Sequence, residues 1–177
     1  AARSNKGNFK LKLKILLLLF TAMLAVSTSP IIARYLDNVP AVAISFWRMS
    51  FGALILWGIS LVKKQAPLKN GNLNKTLIAG ILLGIHFALF FGAIKLTTIA
   101  NATFLGTLAP LFTFLIEKYI LKRNHAPGLI FGLGFAISGA ILIVGNQFDF
   151  SSSYTIGNLL AVACSVFLGM AFIISEN

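Results

Sequence analysis

Six apolar stretches, each close to the length that crosses a bilayer, leave this chain one kind of fold. They cover residues 14–36, 40–62, 76–94, 98–121, 127–145 and 156–174. A helix needs about 20 apolar residues to span a hydrocarbon core of about 30 Å. Barrel strands would alternate polar and apolar residues; these stretches do not, so helix is the spanning form. Composition agrees: 58% of residues are hydrophobic and 11% charged, against about 25% charged in a soluble domain. The expectation is an all-α integral membrane protein with six transmembrane helices.

The net charge of +11 raises nucleic acid as a partner, but its distribution argues for topology instead. Arg3, Lys6, Lys10, Lys12 and Lys14 precede the first stretch, Lys63, Lys64, Lys69 and Lys75 lie between the second and third, and Lys118, Lys122 and Arg123 follow the fourth. Connections of the other parity hold only Arg34 and Lys95. Lys and Arg collect in cytoplasmic loops, so a multi-pass inner-membrane protein with a cytoplasmic N-terminus is expected, and no nucleic-acid face. "ILLLLFTAMLAV" after a basic run also has the look of a signal peptide, but the apolar stretch continues to Ile32 and five more follow. Cys164 is the single cysteine, which leaves no disulfide framework or thiolate metal site within the chain. No cofactor is expected.

Small residues recur every four positions at Gly80, Gly84, Ala88 and Gly92, and again at Gly128, Gly132, Ala136 and Ala140. Such stripes let helix backbones approach closely in lipid; ordinary intrachain packing is the expectation, with a dimer seam or sliding surface as the other reading.

Arg48 lies inside "SFWRMSFGALILW". At 1.5 Å per residue it falls about 12 Å below the outer end of its helix, close to the midplane. His86 falls about 15 Å down, Thr107 about 14 Å, Thr28 about 12 Å and Thr103 about 8 Å. Four helices thus carry polar side chains at one level. Ser45 shares the small, polar face of Ala41, Arg48 and Gly52, while Phe46, Leu54 and Trp57 belong to the greasy side. Asn101 opens the fourth stretch; the sequon Asn101-Ala102-Thr103 begins inside a span and is read as chance. Glu117 falls about 28 Å down, too deep to pair with Arg48. Pro30 and Pro110 are positioned to bend their helices and free backbone carbonyls.

"SPIIARYLDNVPAVAISFWRMSFGALIL" resembles the first two helices of the EamA-type repeat of the drug/metabolite transporter superfamily, through Arg34, Pro40, Phe46, Arg48 and Ala53. "GAIKLTTIANATFLGTLAPLFTFLIEKYILKRNHAPGLIFGLGFAISGAILIV" resembles its third-to-fifth-helix region. The family's Gly-Glu-Arg-like turn after helix four is replaced here by Lys122, Arg123 and Asn124, with Glu117 six residues before Arg123. The resemblance implies a basic cytoplasmic N-terminus at 1–13, a five-helix repeat at 14–146, and at 147–177 a loop and the first helix of a truncated, inverted second repeat. It implies a transporter, read as an exporter, of small metabolites or drugs by alternating access. The substrate cavity then lies at the midplane, with Arg48, His86, Thr107, Thr28, Ser45, Thr103 and Asn101 as lining candidates. The implied partners are the bilayer, a small-molecule substrate, the remaining helices of the second repeat and a homodimer. A last span without those helices is expected to bury its face only in part. No nucleophile–base pair, metal cluster or buried carboxylate pair points to an enzyme; a non-transporting structural or assembly membrane protein is the rival reading.

Overall fold

The computed structural model describes residues 2–63, 71–144 and 152–176. Lys64, Lys69, Gly145 and the 147–151 part of the last loop lie outside these residues, as do the side chains of Arg3, Lys6, Lys10 and Ala140. The described chain is helical: α1 (Ala2–Tyr35), α2 (Ala41–Val62), α3 (Asn72–Leu96), α4 (Ile99–Gly106), α5 (Ala109–Tyr119), α6 (Pro127–Val144) and α7 (Ser152–Glu176). Among the described residues five spans are long and apolar enough to cross a membrane, with α4 and α5 counted together, and α6 is a further apolar helix. The bundle is an all-α membrane fold of about six crossing helices.

The elements start where local chemistry starts them. Pro40, with φ −56° and ψ 141°, precedes α2 without continuing α1. The Thr98 hydroxyl accepts the Asn101 backbone N–H at 3.0 Å and caps α4. Pro127 is the first residue of α6, where its missing N–H costs nothing. The fourth apolar stretch reads as continuous, yet it is interrupted at Thr107–Leu108. Pro110 has no N–H to return to the Gly106 carbonyl four residues back, so the ladder cannot run through.

The surface is apolar. Leu17, Phe20, Trp57 and Phe135 are each more than half exposed, an arrangement that suits lipid and would be unfavourable in water. The tightest packing lies at the end away from the basic run. There Ala33, Phe91, Ala93, Ile94, Ala102, Phe104, Leu105 and Ala161 form one buried cluster from α1, α3, α4 and α7.

Two cations brace that end reciprocally. Arg34 of α1 donates to the Ile94 carbonyl and, at 3.1 Å, to the Thr97 carbonyl at the end of α3. Lys95 of α3 donates to the Leu36 and Asp37 carbonyls after α1, at 2.7 and 3.1 Å. Each cation meets the negative end of the other's helix.

The last span is buried in part: Gly157, Ala161, Ser165, Gly169 and Ile173 of α7 form a buried stripe along its length, against α3, α4 and α5, while Ile156, Leu159 and Phe172 are more than half exposed. A Cβ at Gly157 would come within 2.8 Å of the Thr97 backbone nitrogen, so α3 and α7 approach backbone to backbone. One expectation is corrected here. The stripes expected to be packing seams are largely open. Added Cβ atoms at Gly80, Gly84, Gly128 and Gly132 would meet nothing within 4 Å, and only Gly92 meets a neighbour, Leu160. The close seam belongs to the last span, whose backbone must fit beside the α3 terminus.

Candidate functional site

The polar residues of the membrane interior separate into two groups. The first forms a continuous layer through four helices. Arg48 of α2 donates to the Ser29 hydroxyl of α1. Its guanidinium lies 4.4 Å from the centre of the Phe87 ring and 5.8 Å from that of Phe91, both on α3. The Phe87 ring is 4.9 Å from the His86 ring. His86 is buried, with Nδ1 2.8 Å from the Cys164 carbonyl oxygen of α7. A carbonyl only accepts, so Nδ1 carries the hydrogen and Nε2 of the neutral ring is left to accept. About one turn nearer the start of α2, buried Ser45 donates to the Gly84 carbonyl at 3.2 Å, tying α2 to α3.

Arg48 and Glu117 do not meet; each has a nearer partner. Thr28 is exposed and returns its hydroxyl to the Ala25 carbonyl at 2.9 Å within α1. Thr103 is exposed. Asn101 is fully buried in the first turn of α4, its backbone N–H donated to the Thr98 hydroxyl. Ser29, adjacent to Thr28, makes the contact instead. Adjacent residues point about 100° apart on a helix, and the sequence does not say which faces α2.

The second group surrounds the break. Thr107 is exposed, donates to the Phe104 carbonyl at 2.7 Å, and lines a cavity of about 290 Å³ between α4, α5 and α6. Gly132 and Ala136 of the α6 stripe form its opposite wall. Small residues there leave room for an occupant.

A charged cluster closes the basic end. Arg123 donates to Glu117 at 2.7 Å and to Glu176 of α7 at 3.1 Å; the Glu117 bond, then the Glu176 bond, raise its pKa above the ordinary arginine value. His125 Nε2 lies 3.5 Å from the second Glu117 oxygen. Glu117 and Glu176 line a cavity of about 440 Å³ with Pro110, Thr113 and Phe172. Nothing local in the sequence points to His125 or Glu176, because only folding brings His125 beside Glu117 and Glu176 beside Arg123. Among the described residues no group of His, Cys, Asp and Glu is arranged to hold a metal ion.

The chain matches the EamA-like transporter family over residues 13–145. It is 30% identical over 103 residues to the uncharacterized transporter YyaM of Bacillus subtilis, covering 55% of this chain and 33% of that one. It is 24% identical over 136 residues to the pseudopaline exporter CntI of Pseudomonas aeruginosa, covering 73% and 45%. It is 31% identical over 90 residues to the aromatic amino acid exporter YddG of Ancylobacter novellus, covering 49% and 31%. The chain thus spans less than half the length of these relatives. No solved structure matches it.

Proposed function

The chain belongs to the EamA-like transporter family, and we propose that it forms one part of a membrane exporter of small metabolites or drugs that works by alternating access. The observation that carries this reading is the interruption of the fourth span at Thr107–Leu108 beside a cavity of about 290 Å³. Broken helices at membrane depth are tolerated where they line a cavity, and transporter sites are built on them near the midplane.

In this reading Thr107 offers its hydroxyl to the solute at the break. Arg48 receives an anionic group of the solute with the donors that Ser29 leaves free. His86, with Nδ1 committed to Cys164, takes up and releases a proton at Nε2 and couples transport to it. Ser45 and Asn101 fix helix register beside the site. Thr28 and Thr103, both exposed here, join the lining when the helices of a second, inverted repeat cover them. The remaining proposals are a cytoplasmic N-terminus, an inner-membrane location, and a partner bundle that is the rest of the second repeat or a second copy. The exporter names of two relatives support the direction of transport.

The test is solvent access at the break in the full-length protein. Cys164 is buried and is first replaced by Ala; then Thr107→Cys is introduced. Reaction with a membrane-impermeant thiol reagent, slowed by transported solute, is the expected result. A Thr107→Cys thiol that stays unreactive in an otherwise folded protein favours the rival reading, a structural membrane protein.

A further inference from the structure

We propose that the basic end carries a binding site for the phosphate of an anionic phospholipid headgroup, in a cavity of about 380 Å³ at the junction of α5 and α6. It is lined by the polar side chains of Lys118, Lys122, Arg123, Asn124 and His125 and by the apolar side chains of Phe114 and Ile130. The two halves are segregated. The apolar wall comes from the helices, which lie in the hydrocarbon. The cations come from the end of α5 and the connection after it, which lie at headgroup level. A free anion needs only the cations; a lipid uses both. Basic pockets between helices at this depth suit anionic headgroups.

The charges of the neighbouring cavity do not cancel this one. Glu117 and Glu176 line the adjoining acidic cavity, and Arg123 bridges the two carboxylates. Among the described residues neither Lys118 nor Lys122 has a carboxylate within 4.0 Å. The Lys118 ammonium is instead steered by two ring faces, 5.4 Å from the centre of Phe114 and 5.6 Å from that of Tyr119. Lys122 adopts φ +52°, a left-handed conformation that favours glycine or asparagine. The turn itself is fixed by the Arg123 N–H returning to the Glu117 carbonyl at 2.9 Å. A lysine at this position adds a cation to the cavity lining where the backbone alone would favour glycine.

Binding to the full chain in neutral detergent tests the site, and because the readout is binding it stands apart from the transport reading. Affinity is measured for phosphatidylglycerol and for phosphatidylcholine. The variant combines Lys118→Gln with Lys122→Asn, since Asn tolerates the left-handed backbone. A second variant, Lys12→Gln with Lys14→Gln, removes equal charge from the same end outside the cavity. Phosphatidylglycerol is expected to bind roughly thirtyfold tighter than phosphatidylcholine, the factor that two basic side chains at a membrane surface supply. The first variant loses that preference and the second keeps it. Inorganic phosphate at millimolar concentration leaves bound lipid in place if the occupant is a lipid; displacement reassigns the same site to free phosphate. Equal affinity for the two lipids, an undiminished preference in the first variant, or an equal loss in the second would overturn the proposal.

Discussion

An arginine at the centre of a membrane helix costs about 2.5–3.5 kcal/mol on insertion scales, and Arg48 shows how that cost is met. A stacked cation–π contact contributes up to about 2 kcal/mol when desolvated, and a charge-assisted hydrogen bond about 1.5–3 kcal/mol. Phe87 and Ser29 supply one of each, so cost and gain nearly balance. Arg48→Met, which removes both, is therefore expected to fold and insert within about 1 kcal/mol of the parent while transport by the full-length protein is lost. Arg48→Lys keeps the charge but neither the planar stack nor the fork of donors, and transport of an anionic solute should fall. Folded yield and transport measured side by side decide it; lost yield with unchanged transport per folded molecule leaves Arg48 a brace and nothing more. Arg34 makes the opposite prediction. Its partners are helix-terminal carbonyls in the tightly packed end, and Arg34→Met should cost about 2 kcal/mol in unfolding experiments without altering solute preference. The sequence displays both arginines equally. What distinguishes them, a hydroxyl and a ring for one and two carbonyls for the other, depends on how α1 and α2 are registered against α3, and no local pattern encodes that.

At the scale of helices, approximate number and order were legible because every span must cross the same hydrocarbon thickness. The break in the fourth span and the close seam of the last were not. Pro110 announces a bend, but whether a proline bends a helix or ends it depends on what re-satisfies the freed carbonyl. The stripes at Gly80–Gly92 and Gly128–Ala140 are as regular as the one at Gly157, Ala161, Ser165 and Gly169, yet only the last is buried throughout. Spacing reveals where close approach is allowed, not where a partner is. The difference is measurable. Gly157→Ala places a Cβ against the Thr97 backbone and should cost about 1–3 kcal/mol as α3 and α7 are pushed apart. Gly80→Ala meets open space and should be neutral or stabilising by up to about 1 kcal/mol through helix propensity. Thermal unfolding of the two variants in one detergent compares them; equal losses would mean that the α3–α7 seam is not the tight contact of the fold.

For the molecule as a whole, charge and contact give independent accounts of which ends lie together. The basic residues place the N-terminus, the 63–75 loop and the 118–123 loop on one side. The contacts sort the helix ends without reference to that bias. Arg34, Lys95, Thr97 and Asn158 join the ends of α1 and α3 to the beginning of α7. Arg123 joins the α5–α6 connection to the end of α7. Six crossings that alternate in direction produce both patterns; a re-entrant fourth span, which the break at Thr107–Leu108 brings to mind, would return the α5 end to the Arg34 side and separate Arg123 from Glu176. Arg34 and Lys95 do not weaken the charge argument, because both are spent on carbonyls at their own end. The expected outcome is that a reporter active only in the cytoplasm works when fused at Asn70, and one active only outside works at Asn146. Cross-linking of paired cysteines at Arg123 and Glu176, in a Cys164→Ala background, should join α7 to the same side as Asn70. An externally active reporter at Asn70 would reverse the orientation while leaving the fold intact; failure of the cross-link would break the alternation itself, and with it the placement of the broken span across the membrane.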